Sequence, residues 1–197
     1  YARNPELVIN FYNERRKQLL DVVPNAGHLG VADLERDFNV TVVTQNVDNL
    51  HERAGSTHVI HLHGELTKVC SSRDPYNPHF VKELAPEEYE VKLGDKAGDG
   101  TQLRPFIVWF GESVPEIETA IRYVEQADIF VIIGTSLNVY PAAGLLNYVP
   151  RAAEVYLIDP KPVDTHVMRP IHVIQKGASE GVKELKALLT ATQPPLP

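Results

Sequence analysis

The chain has 197 residues, of which 43% are hydrophobic and 23% charged, a composition typical of a soluble globular protein. Its net charge of -7 argues against nucleic acid or anionic lipid as the partner. No apolar run approaches the roughly 20 residues of a membrane span, and the single cysteine, Cys70, excludes an internal disulfide. These features together predict a cytoplasmic protein.

The first half of the chain predicts two helices, two strands and an insert. Asn4 and Pro5 are typical of the N-cap and first turn of a helix, which we expect to end near Leu20. We expect four residues on its buried stripe: Val8, Tyr12, Arg15 and Leu19. Three elements follow: a helix over 24–37 and strands over 40–44 and 59–62. Residues 65–104 are polar and rich in Pro, Asp and Gly, which predicts an irregular insert.

The second half alternates regularly between strands and helices. The predicted strands cover 106–110, 129–133, 155–158 and 172–174. The predicted helices cover 115–126, 141–148 and 177–189. The strand at 129–133 is wholly apolar, as strands buried on both faces of a parallel sheet are. The alternation predicts an α/β fold, with a Rossmann-like parallel sheet and helices on both faces.

Polar side chains follow the predicted strand at 40–44. Gln45, Asn46 and Asp48 come directly after the β-branched run VTVV. Polar groups are costly to bury unless they find partners. In open α/β sheets, ligands bind at the carboxyl ends of the strands. The sequence therefore predicts a ligand site at this strand end.

Two further strand ends carry polar groups. Gly134 opens the triplet GTS after the apolar strand, where hydroxyls and amides can bind a phosphate. Ordinary turn chemistry explains such a triplet equally well. Asp159 follows the strand at 155–158, where an acidic side chain can accept a hydrogen bond from a ribose hydroxyl. A solvated loop aspartate is an equally good interpretation.

His61 and His63 lie in VIHLHGEL, on one face of the predicted strand. From this stretch alone, a pair of hydrogen-bonded, half-buried histidines is the favoured interpretation. The alternative is that His63 is a general base at a strand end, with Gly64 allowing a substrate to approach. A neutral imidazole near pH 7 is suited to taking a proton from a sugar hydroxyl.

Four blocks in fixed order resemble the sirtuins, which are NAD-dependent protein lysine deacylases. They are TQNVDNLHERAG, VIHLHGEL, RPFIVWFGE and IIGTSLNVYPAAG, within a resemblance that covers residues 4–189. The resemblance implies NAD as the cofactor and acylated lysine side chains of proteins as the partners, with no nucleic acid and no membrane. It also implies two domains. Residues 40–64 and 105–190 would form a Rossmann-like NAD-binding domain, and 1–39 and 65–104 a small subdomain.

The resemblance implies a role for each matched residue. His63 would be the catalytic base. Residues near the nicotinamide and its ribose would be Gln45, Asn46, Val47 and Asp48. Residues lining the adenosine half of NAD would be Gly134, Thr135, Ser136, Leu157, Ile158, Asp159 and Ala178. A substrate peptide would add as a strand between two segments. These are Val108, Trp109, Phe110, Gly111 and Glu112 on one side, and Asn138, Val139 and Tyr140 on the other.

Tyr12 and Arg15 lie three residues apart, so they are neighbours on one helix face. An arginine on an apolar stripe needs an anion. The residues alone favour an internal pair with an Asp or Glu. FYNERR, however, resembles the Tyr-x-x-Arg of sirtuins that remove succinyl, malonyl or glutaryl groups, in which the arginine binds the acyl carboxylate.

The glycine-rich phosphate loop with which sirtuins begin is not found in these 197 residues. We expect this loop to lie upstream of Tyr1, because a sheet without its first strand would expose an apolar edge. Two alternative functions stay open, and the absence of the loop here makes the second of them plausible. One is ADP-ribosyl transfer from the same NAD site, and the other is a non-catalytic module that binds ADP-ribose or acyl-lysine.

The insert also departs from the zinc-binding pattern of most sirtuins. It contains one cysteine, Cys70, and one histidine, His79, so a site of four cysteines is impossible. We therefore expect no zinc. Packing would then have to hold the insert, through Tyr76, Phe80, Tyr89 and Leu93.

Overall fold

The structure is a computed structural model that describes residues 3–134, 142–162 and 169–191. The α-helices in these ranges are α1 (Pro5–Leu20), α2 (Ala26–Asp33), α3 (Leu50–Ala54), α4 (Ile117–Val124) and α5 (Ala178–Ala191). The strands are β1 (Val42–Thr44), β2 (Val59–His61), β3 (Gly64–Ser71), β4 (Lys82–Glu83), β5 (Leu103–Ile107), β6 (Ile129–Ile133), β7 (Glu154–Ile158) and β8 (His172–Ile174). Short 3₁₀ helices cover Leu34–Arg36, Pro78–Phe80, Pro86–Glu88 and Ala142–Tyr148. None of the described helices is long and apolar enough to cross a membrane.

The chain divides into two compact units. The first comprises Tyr1–Val23, Val43–Leu50 and His61–Pro115. The second comprises Pro24–Val42, His51–Ile60 and Glu116–Pro197. Strands β1 and β2 pair with each other at the points where the chain passes between the units. Residues 24–39, which the sequence analysis groups with the small subdomain, pack within the second unit.

An antiparallel sheet in the order β4-β3-β5 organises the first unit. Cys70 of β3 lies opposite Arg104 of β5, and Lys68 lies opposite Glu83 of β4. The prediction of an irregular insert over 65–104 is therefore wrong at both of its ends. The sequence pattern does not predict strand β3, because its inward positions include polar residues and part of its pairing is with residues far along the chain.

Helix α1 begins as predicted, with the Asn4 side chain accepting from the backbone N–H of Leu7 at 3.1 Å. The predicted buried stripe is wrong, however, because the buried residues of α1 are Ile9, Asn13 and Arg16. The amide of Asn13 pairs with both backbone groups of Val91, at 2.8 and 2.9 Å. Polar side chains occupy the inner face because the extended backbone beside it offers hydrogen-bond partners.

Arg16 completes this attachment of α1 to the insert. Its Nε donates to the carbonyl of Tyr89 at 2.8 Å, and its Nη2 donates to Oδ1 of Asn13 at 2.7 Å. Burial lowers the pKa of the Arg16 guanidinium to about 10. An apolar cluster of Ile9, Val69 and Val91 lies in the same unit.

A parallel sheet in the order β6-β7-β8 forms the centre of the second unit. The strand predicted at 129–133 is confirmed, and Val131 lies beside Tyr156 in the register. Helix α5 packs on this sheet closely. A Cβ on Gly181 would lie 2.2 Å from the Ile158 side chain, so only glycine fits there. The core of this unit joins helix and sheet residues: Leu34, Tyr156, Ile158, Ile174, Val182, Leu185 and Leu189.

Gly64 shows that backbone packing constrains the start of β3. Its φ is +92°, and a Cβ there would lie 2.1 Å from the carbonyl oxygen of Phe106 and 2.9 Å from Cα of Ile107. Both are backbone atoms, so no rotamer change relieves the clash. The close approach that Gly64 permits is that of β5, not of a substrate.

We expect Gly64→Ala to lower the free energy of unfolding by roughly 3 kcal/mol or more. Gly94→Ala is the matched control, because Gly94 has a φ of +102° but no atom within 4 Å of its Cβ position. It carries only the strain of a left-handed residue, about 1–2 kcal/mol. Urea denaturation measures both. Equal losses would mean that the Phe106 contact relaxes freely.

Candidate active site

The backbone of Asn46 is held from two sides at the end of β1. Its N–H donates to Oγ1 of buried Thr44 at 3.0 Å, and its carbonyl accepts from Nδ1 of His61 at 3.1 Å. The Asn46 side chain itself is exposed. Thr44 and His61 thus fix this residue in place while its side-chain amide stays available to a ligand.

The two neighbouring histidines have different environments. Strand β2 ends at His61, and His63 lies in the turn before β3, so the prediction that both share one strand face is wrong. His61 is 8% exposed and hydrogen-bonded, as the structural interpretation expects. His63 is half-buried, and its ring has no hydrogen bond to any residue in the described ranges. The imidazole of His63 is therefore available for proton transfer.

The rest of the 45–48 loop combines structural contacts with one unmet donor. The Val47 carbonyl accepts from Leu66 at 2.7 Å. Oδ1 of Asp48 accepts from the N–H of Leu50 at 3.0 Å, at the start of α3. The Nε2 atom of Gln45 is buried, and no described residue accepts its hydrogens. A buried donor without a partner costs about 1–3 kcal/mol, which a ligand bearing an acceptor would recover.

The segment after β5 forms a tight turn closed by Glu112. The Glu112 carboxylate accepts from the backbone N–H of Trp109 at 2.7 Å, and the Glu112 N–H donates to the Trp109 carbonyl at 3.0 Å. The Val108 N–H donates to the carbonyl of His63 at 2.9 Å. The turn is thus attached directly to the predicted catalytic residue. Phe110, at its tip, is fully exposed.

Arg104 supports this turn, and the sequence analysis missed it. Its guanidinium is buried and donates to both carboxylate oxygens of Glu112, at 3.2 and 3.1 Å. It also stacks on the ring of Trp109, with Cζ 3.9 Å from the ring centroid. Burial raises the pKa of Glu112, but the hydrogen bonds from Arg104 and from the Trp109 N–H outweigh this and hold it below its usual range. Glu112 therefore serves the turn, and its carboxylate is already occupied.

A signal for Arg104 was present in the sequence. It is a charged residue in the otherwise apolar strand RPFIV, eight positions before an acidic residue. A buried charge needs a partner, so this pattern could have suggested the Glu112 pair.

Tyr12 and Arg15 differ in their contacts. The Tyr12 hydroxyl accepts from Nε1 of Trp109 at 3.1 Å. Arg15 is exposed, and its Cζ lies 5.8 Å from the centroid of the Phe11 ring. No described residue forms an ion pair with Arg15, so the expectation of an internal pair on an apolar stripe is wrong. Arg16 is the inward guanidinium of α1.

The residues predicted to line the adenosine half of NAD and described here lie in the second unit. Gly134 ends β6 with a φ of +66°, and its N–H donates to the carbonyl of Ile158 at 3.2 Å. The side chains of Leu157 and Ile158 are buried in the core, so only their backbone can contact a ligand. Asp159 is half-buried, and its Oδ1 accepts from the N–H of Lys161 at 2.8 Å.

Ala178 is the first residue of α5 and is half-buried. The remaining predicted site residues lie outside the described residues: Thr135, Ser136, Asn138, Val139 and Tyr140.

The parallel sheet of the second unit, with helix α5 packed on it, is an α/β arrangement of the kind that binds nucleotides at the carboxyl ends of its strands. The chain belongs to the Sir2 family, whose family model matches residues 1–141. It is 82% identical over 189 residues to an NAD-dependent protein deacylase of Bacteroides thetaiotaomicron, covering 96% of this chain and 81% of that protein. It is 46% identical over 185 residues to one of Helicobacter pylori, covering 94% and 78%.

Solved structures agree with this assignment. A Sir2 homologue in complex with NAD superimposes with a TM-score of 0.79 at 37% identity, covering 98% of this chain and 75% of that one. A Sir2 complex with a p53 peptide and NAD⁺ gives a TM-score of 0.69 at 27% identity, covering 89% and 74%. The predicted family and fold class are therefore confirmed.

Proposed function

We propose that this protein uses NAD to remove acyl groups from protein lysines, and that it accepts acidic acyl groups, succinyl and malonyl, as well as acetyl. NAD-dependent deacylation, the predicted activity, is confirmed by the relatives named above. The acidic acyl class rests on one observation: the guanidinium of Arg15 is exposed, forms no ion pair with a described residue, and lies one helical turn from Tyr12. The predicted cytoplasmic location stays a prediction.

Two observations, one in each unit, support the binding of NAD. The buried Nε2 of Gln45 lacks an acceptor among the described residues, and the positive φ of Gly134 turns the chain sharply at the end of β6. When bound, NAD supplies a ribose carbon that carries nicotinamide as its leaving group. We assign Gln45, Asn46 and Asp48 to the nicotinamide and its ribose, which they orient.

His63 acts as the general base in this proposal. One of its ring nitrogens takes the proton of a ribose hydroxyl, for which a neutral imidazole near pH 7 is suited. The hydrogen bond from Val108 to the His63 carbonyl holds this residue beside the turn that presents the substrate. One water is consumed, and the products are nicotinamide, O-acyl-ADP-ribose and the free lysine.

Arg15 and Tyr12 select the acyl group. A guanidinium presents a planar fork of donors that matches a carboxylate, and a tyrosine hydroxyl adds one more donor. Acetyl-lysine has no carboxylate, so it can enter such a pocket without using the fork.

A panel of acetyl-, malonyl- and succinyl-lysine peptides with NAD and the full-length protein tests the function. We expect nicotinamide release together with the loss of the acyl mass from the peptides. Nicotinamide release with ADP-ribose added to a protein would indicate ADP-ribosyl transfer instead. Binding without any release would indicate a non-catalytic module.

We expect His63→Tyr to fold normally and to lower the rate of acyl removal by about 10²–10⁴-fold or more, because it removes the base. His79→Tyr is the matched control, since His79 is an exposed histidine of the insert. Steady-state kinetics on one acyl peptide measures both variants. Near-normal turnover of His63→Tyr would rule out this histidine as the base.

We expect Arg15→Met to lower efficiency on succinyl-lysine by ~30–1,000-fold, the loss of a shielded charged pair worth roughly 2–4 kcal/mol. Turnover of acetyl-lysine should change little or improve. Arg151→Met removes another exposed arginine and should affect neither substrate. Arg16→Met should instead lower the stability, because it strips partners from buried backbone carbonyls. If Arg15→Met lowers the efficiency on both substrates equally, the role of Arg15 is structural.

We also propose that the insert holds no zinc. Cys70 is fully buried, and burial raises the pKa of its thiol to about 11, whereas zinc binds thiolate.

Hydrogen bonds hold the segment that follows Cys70. Buried Ser71 bonds to the Asp99 carboxylate at 2.5 Å and to the Thr101 hydroxyl at 3.0 Å. Hydrogen bonds from Ser71 and Thr101 hold the pKa of Asp99 at about 2, so it is ionised at neutral pH.

Purified, tag-free protein should contain far less than one zinc per chain by elemental analysis. Its unfolding temperature should be the same with and without a strong chelator, because the one cysteine of the insert is buried as a thiol. Ser71→Ala should lower that temperature, since it removes the acceptor and donor at the centre of the network. Stoichiometric zinc would contradict the proposal.

A further inference from the structure

We propose that Trp109, held by Arg104 and Glu112, is a positioning residue that turns the Tyr12 hydroxyl into a donor for the acyl carboxylate of the substrate. The proposal rests on the acidic-acyl function above and adds a group that acts through Tyr12. It assigns a specificity role to Trp109, which lies five positions after the buried Arg104 and far from α1 in sequence.

The direction of the Trp109–Tyr12 hydrogen bond carries the argument. An indole N–H can donate but cannot accept. The Tyr12 oxygen, 3.1 Å from Nε1 of Trp109, must therefore be the acceptor. The phenolic hydrogen is left over, and no residue in the described ranges accepts it. Tyr12 consequently faces a ligand as a donor.

Arg15, the neighbour of Tyr12 on this helix face, is also a hydrogen-bond donor. A guanidinium only donates, and Arg15 has no ion pair with a described residue. The Phe11 ring contacts both side chains, at 5.2 Å from the Tyr12 ring and 5.8 Å from Cζ of Arg15. An ionised carboxylate only accepts hydrogen bonds. It therefore matches a helix face that presents two donors.

The Trp109 ring is fixed independently of Tyr12. The guanidinium of Arg104 covers its face, and the same guanidinium is bound by both oxygens of Glu112. Glu112 in turn accepts from the Trp109 backbone N–H. The indole therefore cannot rotate away from Tyr12 without losing the stack on a buried cation. This fixed ring makes the hydroxyl orientation a property of the free protein, before substrate binds.

A double-mutant cycle tests the proposal, with Trp109→Phe, Tyr12→Phe and the double variant. The readout is the ratio of kcat/KM for succinyl-lysine to that for acetyl-lysine peptides. We expect each single change to lower the ratio roughly 3–10-fold, the effect of one neutral hydrogen bond. The double variant should lower it no further, because Trp109 acts through Tyr12. Phenylalanine keeps an aromatic ring over Arg104, so the turn should stay folded.

Tyr123→Phe is the matched control, since it removes the hydroxyl of a tyrosine in α4 that packs on His58. It should leave the ratio unchanged. If wild-type protein does not act on succinyl-lysine, the acidic-acyl function is wrong. If it does, and Trp109→Phe keeps the wild-type ratio while Tyr12→Phe lowers it, only the present proposal is overturned. Additive losses in the double variant would overturn it too.

Fluorescence gives a second readout that needs no substrate. Trp109 is the only tryptophan of the chain. Tyr12→Phe removes the acceptor of its N–H, so the emission of the free protein should shift to shorter wavelength, and Tyr123→Phe should not shift it. Identical emission of wild type and Tyr12→Phe would show that the hydrogen bond is not formed in solution, which overturns the proposal.

Discussion

The first unit depends on one buried cation. A guanidinium removed from water must find partners for its N–H groups, and Arg104 finds them in both oxygens of Glu112 and in the carbonyl of Ile107 at 2.8 Å. Removing one partner from such a buried pair typically costs about 3–5 kcal/mol. The turn after β5 is therefore rigid, and it carries Val108, whose N–H binds the His63 carbonyl, and Trp109. The residues of this unit that we propose to face the ligand are thus held in place by a buried ion pair.

Helix α1 carries two adjacent arginines, and only the buried one needs partners within the protein. Consecutive residues on a helix point about 100° apart, so Arg16 lies inside while Arg15 lies in solvent. Arg16 and Asn13 bind backbone groups of the insert, at Tyr89 and Val91, and this anchors the helix. The anchored helix then presents Tyr12 and Arg15 on its outer face. One side of α1 provides stability, and the other presents the two residues that we propose select the acyl group.

Features set by local sequence could be predicted, and those set by distant partners could not. The capped start of α1 and the apolar strand at 129–133 each follow from a few neighbouring residues. The buried face of α1 was missed because its inner residues are polar, and their partners lie more than 70 positions away. His63 was recognised as a candidate from its block, but its separation from His61 depends on a turn forced by the approach of β5 to Gly64. The Arg104–Glu112 pair could have been suggested by a charge in an apolar strand, but the stack of Arg104 on Trp109 depends on how the turn folds.

The burial of Cys70 also determines how readily the insert reacts with oxidants. Only the thiolate reacts readily with peroxides, disulfides and alkylating agents. Burial raises the pKa of the Cys70 thiol to about 11, so the thiol stays protonated at neutral pH. The hydrogen bonds beside Cys70 join the hydroxyls of Ser71 and Thr101 and the carboxylate of Asp99, which such reagents leave intact. An insert held in this way keeps its shape under oxidants that would dismantle a module built on cysteines.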